Sequence, residues 1–156
     1  MKIQVIRVVA LGALLSFAIP AAGAETEPVS AWNPDRGSVV ELATLMEHVI
    51  SPAAYRIWDK TGVIIDKSGK HDLSPKTDEE WEKVADGAAT LAEVKNMLMV
   101  PDRELDPQWD HFANELSKAG MTALKMAEAH DKDGLWDISG HIDEICTDCH
   151  DHYGIE

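Results

Sequence analysis

The chain of 156 residues is poor in cysteine, in basic side chains and in long apolar runs. Two cysteines, Cys146 and Cys149, are too few for a disulfide framework and supply only half of a four-ligand zinc site built from cysteine pairs. Fourteen basic residues stand against 28 acidic ones, a net charge of −14. Nothing here neutralises a phosphate backbone, so no nucleic acid is expected as a partner. Past residue 24 no apolar run approaches the ~20 residues of a membrane span. Strand-type alternation is nearly absent, and internal repeats and low-complexity tracts are missing. There is no serine-nucleophile motif, no phosphate-cradling glycine loop and no carboxylate pair of marked spacing. These absences point away from an enzyme.

What is present begins with a leader. Lys2 and Arg7 give a positive start, Val8 to Ile19 an apolar centre, and Ala22-Gly23-Ala24 a small-residue cleavage site. The reading is a signal peptide over 1–24, cleaved after Ala24, and export of a single domain over 25–156, with the bacterial periplasm as destination. The rival is an uncleaved anchor. No cysteine sits at the cleavage site, which argues against a lipoprotein. After cleavage 12 basic and 28 acidic residues remain, a charge of −16. Such a charge keeps a periplasmic protein soluble, and it also steers it toward a partner with a basic docking face.

Helical periodicity dominates the rest. Ser38-Val39-Val40-Glu41 reads as a capping box opening a first helix, whose apolar stripe is Leu42, Met46, Val49, Ala53 and Ile57. Pro52 falls inside it and predicts a kink. A second box, Thr77 to Glu80, opens a helix through Trp81, Val84, Ala88, Leu91 and Leu98. Asp106 caps a third, with Pro107 at its first position and Trp109, Phe112, Leu116, Ala123 and Ala127 on its stripe. A fourth starts near Asp133 and carries Leu135, Ile138, Ile142, Ile145, Cys149 and Tyr153. The link from Thr61 to Lys76, with Val63-Ile64-Ile65, fits no pattern well. Short links elsewhere favour antiparallel neighbours, and the predicted fold class is all-α, an antiparallel four-helix bundle. Trp32, Trp58, Trp81, Trp109 and Trp136 read as core or interface anchors.

Both cysteines fall in "EICTDCHDHY", residues 144–153. C-x-x-C-H is the attachment sequence for c-type haem. At about 100° per residue, Cys149 lies about 300° and His150 about 40° around the helix from Cys146. All three project from one side, shared with Ile142, Ile145 and Tyr153. Two thioethers from Cys146 and Cys149 then tether one covalent haem c while His150 supplies an axial nitrogen to its iron, with Tyr153 against the ring or its edge. The rivals are weaker. A redox dithiol belongs at a helix N-terminus beside a βαβ pattern, and a disulfide across two residues closes too small a loop to contribute much. The other histidines, His48, His71, His111, His130, His141 and His152, form no second pair at zinc-finger spacing and read as exposed.

An exported helical chain with C-x-x-C-H-x-x-Y near its end, here Cys146 to Tyr153, resembles the class II c-type cytochromes, the cytochrome c′ family, over the whole mature chain. The resemblance implies a four-helix bundle around one covalently attached haem. It also implies homodimers through the first two helices. Many members carry a basic residue after the aromatic, where this chain has Gly154. Members divide at the sixth coordination position. Some block it with an apolar side chain and bind nitric oxide or other gases at five-coordinate iron; others place a methionine from the first helix there and carry electrons. Met46 lies in the first half of that helix, on its core stripe, and matches the family's distal position. As a distal ligand it makes the chain a periplasmic electron carrier between redox partner proteins. As a core filler it leaves a gas-binding protein. Met97 and Met99 are the competing thioethers.

Overall fold

The computed structural model describes residues 37–155 and is mostly helical. The leader, its cleavage site and Trp32 lie outside the described residues. The Ser38 capping box is not used. The N–H and hydroxyl of Ser38 both donate to the carboxylate of Asp102, the N–H at 2.8 Å, and the helix opens only at Leu42. A charged acceptor binding two donors outcompetes a local cap. Helix α1 (Leu42–Leu45) runs through a π turn (Met46–Ile50) into α2 (Ser51–Trp58). The wide turn ends two residues before Pro52, which occupies the first turn of α2. A proline ring clashes with the carbonyl four residues back; widening the preceding turn gives it room.

The uncertain link forms an antiparallel hairpin of two four-residue strands, β1 (Val63–Asp66) and β2 (Gly69–Asp72), in a fold that is otherwise helical. Its β-branched run favours strand, and Gly69 takes φ 127°, the left-handed geometry that lets the chain reverse. Ile64 stands opposite His71 and Ile65 opposite Lys70.

Helix α3 (Asp78–Ala92) is capped as the sequence predicts: Thr77 Oγ1 accepts from the Glu80 N–H at 3.2 Å. The Glu80 carboxylate reaches back one residue further than a standard box and accepts from the Lys76 N–H at 2.7 Å. The expected single helix to Leu98 is broken at Glu93, and α4 (Val94–Leu98) follows. The Ser117 hydroxyl donates to the Ala92 carbonyl there, giving the end of α3 a partner from another helix. Helix α5 (Pro107–Glu128) begins with Asp106 Oδ1 accepting from the Gln108 and Trp109 N–H groups, both at 2.9 Å. Helix α6 (Lys132–Tyr153) is capped by Asp131 and ends at Gly154, φ 64°.

Helix α3 packs on α5, α5 on α6, and α2 on α3 and more lightly on α6. The core between them includes Ile57, Val84, Leu91, Ala123, Leu135 and Ile142, all at most 1% exposed. Each large aliphatic among them contributes about 1.5–3 kcal/mol through burial. Trp81 and Trp109 are buried anchors as expected, whereas Trp136 is 51% exposed and is not. Among the described residues no helix is long and apolar enough to cross a membrane.

Candidate functional site

A cleft of about 280 Å³ opens where the last turns of α6 meet the π turn and α2, with the start of α5 as its floor. Ile145, Cys146, Cys149 and His150 line the α6 wall. Met46, Ile50 and Ala54, from the π turn and α2, line it as well, so the sequence-derived Met46 and His150 share one cleft. Leu98, Trp109, Phe112, Ala113 and Leu116 complete an apolar lining, and Ser51, Tyr55, Asp143 and Thr147 supply its few polar groups. Two indoles are held in place by their N–H groups. Trp109 Nε1 donates to the Leu98 carbonyl at 3.0 Å and Trp58 Nε1 to the Ser139 carbonyl at 3.1 Å.

Helical spacing explains the α6 wall. Cys146, Cys149 and His150 are half-buried, while Thr147 and Asp148 between the cysteines are exposed. Both cysteines are free thiols. Burial, with smaller contributions from Cys149 and Asp143, pushes the Cys146 thiol up to about 11, and burial also raises Cys149. A dithiol redox site needs the reverse, a thiolate at neutral pH, so this wall argues against that rival. The zinc reading fares no better, because no group of three or more His, Cys, Asp or Glu converges on one point among the described residues.

Met46 occupies the first position of the π turn and is half-buried. Extra-wide turns of this kind often occur at functional sites. Met97 and Met99 pack against the core outside the cleft lining. His48 is exposed beside Glu47, and His71, His111, His130, His141 and His152 are exposed as well. Tyr153 is not part of the lining. Its hydroxyl donates to Asp106 Oδ1 at 2.8 Å and its ring meets Trp109 edge-on at 5.6 Å. It therefore ties the end of α6 to the cap of α5 and backs a residue of the cleft floor. Burial and the Asp106 carboxylate push its phenol up to about 12.

Sequence reasoning missed Arg103, which is 8% exposed. Its guanidinium donates to the Met97 carbonyl at 2.7 Å and the Val40 carbonyl at 2.5 Å, clamping the segment before α1 to the loop after α4. No periodicity marks an arginine that acts on loop carbonyls. Asp143 and Thr147, three residues before and one after Cys146, also line the cleft, and the sequence reading named neither.

The donor set is two thiols, an imidazole and a thioether around an apolar cleft. That chemistry fits a covalently tethered haem: thiols to bond its vinyl groups, nitrogen and soft sulfur for its iron, and apolar walls for its faces. No protein-family model, curated protein or solved structure matches the chain.

Proposed function

We propose that the protein is an exported monohaem c-type cytochrome of the class II kind, an electron carrier with its helices in an antiparallel four-helix bundle. The observation that carries this reading is one cleft whose lining includes Cys146, Cys149 and His150 from α6 and Met46 from the π turn. The pairwise packing of α2, α3, α5 and α6 into a closed ring supports the bundle. Cys146 and Cys149 would hold the cofactor covalently, His150 would be the proximal iron ligand and Met46 the distal one. Bound haem supplies one-electron redox chemistry. The chain's own contribution is to fix the two axial donors on packed helices, to exclude water with Trp109, Phe112 and Leu116, and to favour the reduced state through a thioether donor in an apolar cleft.

Periplasmic location and leader cleavage belong to the same proposal. So do docking through a basic partner face and the homodimer that the family resemblance implies. Five-coordinate gas binding is the second reading. It is favoured by one feature, the polar groups of Ser51 and Tyr55 on the Met46 side of the cleft.

Haem staining of a denaturing gel tests the attachment, because only thioether-linked haem survives denaturation. The exported protein is expected to stain, and the Cys146→Ser/Cys149→Ser double variant to lose the stain. A stained double variant, or an unstained wild type from a cell competent to attach haem, would overturn the assignment.

A further inference from the structure

The end of the molecule away from the cleft carries two features that the proposed redox function does not use. The first is the hairpin. Its residues 63–72 hold two lysines, Lys67 and Lys70, and two aspartates, Asp66 and Asp72, a neutral segment in a chain of −14. Lys60 and Lys132 are spent on ion pairs with Glu80 and Asp72, at 2.6 and 2.5 Å, which fasten the hairpin to the starts of α3 and α6. Lys67 and Lys70 form no ion pair with any described residue. Beside them Ile64 and Ile65 are 51% and 79% exposed. The hairpin is thus a firmly mounted projection that presents two unpaired lysines and two exposed isoleucines on an acidic protein.

The second feature is a groove of about 420 Å³ between α3 and the end of α5. Ala85, Ala89 and Leu124 make an apolar floor, and Glu82, Asp86 and Glu128 supply the carboxylates of its lining. Trp81, stacked on His130 with ring centroids 4.9 Å apart, closes one end. Glu82 and Glu128 form no ion pair with any described residue. The hairpin's fastening points, Glu80 and Lys132, flank this groove in sequence, so both features sit where α5 gives way to α6.

We propose that this end is a self-association surface on which the hairpin of one copy docks in the groove of a second. Isoleucine meets an alanine and leucine floor, and Lys67 and Lys70 meet Glu82 and Glu128. Because projection and groove lie at the same end, a twofold axis lets each copy fill the other's groove, which closes the dimer and doubles its contact. Between two acidic copies the contact is complementary, because the unpaired hairpin lysines face the groove carboxylates. The cleft stays free. The proposal stands independently of haem.

Sedimentation velocity of the purified protein over a concentration series tests it. Dimer is expected at low ionic strength, with the dissociation constant rising about tenfold or more in roughly 0.5 M salt. Lys67→Glu/Lys70→Glu, Glu82→Lys/Glu128→Lys and Ile65→Asp should each weaken association by about tenfold or more, with circular dichroism unchanged. An equimolar mixture of the two charge-reversed variants should dimerise again, since every reversed hairpin then finds a reversed groove. A protein that stays monomeric throughout, a dimer indifferent to these variants, or a mixture that fails to recover would overturn the proposal. So would hairpin-dependent binding to anionic phospholipid vesicles by a protein that remains monomeric, which would assign the hairpin to a membrane surface instead.

Discussion

At the scale of single residues, the site depends on side chains held from two directions. His150 is placed by the helix that also carries both cysteines, whereas Met46 comes from a turn about a hundred residues earlier. Tyr153 connects the α6 wall to the α5 floor, donating to the Asp106 carboxylate that also caps α5. Tyr153→Phe keeps the ring against Trp109 and removes only that donor. Its expected effect is a drop in thermal midpoint of about 2–5 °C with secondary structure unchanged, read by circular dichroism during heating. An unchanged midpoint would mean that the hydroxyl is satisfied equally well by water.

At the scale of elements, the close crossing of α5 over α3 sets how near the helices come. A Cβ at Gly120 would strike the backbone of Leu91 and Ala92, and one at Gly87 would sit 2.5 Å from the Ala53 carbonyl oxygen. Gly120→Ala is therefore expected to destabilise the fold by about 1–3 kcal/mol despite its gain in helix propensity, measurable by urea denaturation. A stabilised Gly120→Ala would show that the helices separate at little cost.

The elements also divide by how legible they were. The caps at Thr77 and Asp106 are local chemistry between residues two or three apart, so sequence reveals them, whereas the cap at Asp131 stands two residues before the expected start near Asp133. The faces of α5 and α6 follow from periodicity alone, and with them the shared side of Cys146, Cys149 and His150. The late start of the first helix was hidden because Ser38 finds its acceptor 64 residues away at Asp102. The break at Glu93 was hidden for the same kind of reason, a hydroxyl arriving from Ser117 on another helix. The hairpin was obscured because its three apolar residues face outward, against the rule that apolar runs mark the core. Met46 was found on the right stripe, but the π turn that presents it answers to Pro52 and left no periodic trace.

At the scale of the whole molecule, charge is the dominant property. The surplus of carboxylates repels itself, so mild acidification relieves strain on the folded state, while the paired carboxylates work the other way. Lys60 and the Lys76 N–H hold the Glu80 carboxyl down to about 2 from 4.5, and Lys132 with Ser74 holds Asp72 well below the usual range. A folded-state value below the unfolded one contributes stability above the unfolded value, and that contribution fades as pH falls through the folded one. For Glu80 the window runs from about 4.5 down to about 2. The difference in thermal midpoint between the wild type and Glu80→Gln should be constant above pH 5 and shrink toward pH 2. A difference that grows with acid would contradict this pairing.

The central claim is a six-coordinate haem between His150 and Met46, and the visible absorption spectrum of the exported protein tests it most directly. It is recorded oxidised and reduced, with and without carbon monoxide, and repeated on Met46→Ala. The account predicts sharp reduced bands, a far-red methionine–iron band when oxidised, and little response to carbon monoxide in the wild type. Met46→Ala should lose the far-red band and bind carbon monoxide. Broad high-spin bands that shift with carbon monoxide in the wild type would contradict Met46 ligation, and the absence of any haem spectrum would contradict the account as a whole.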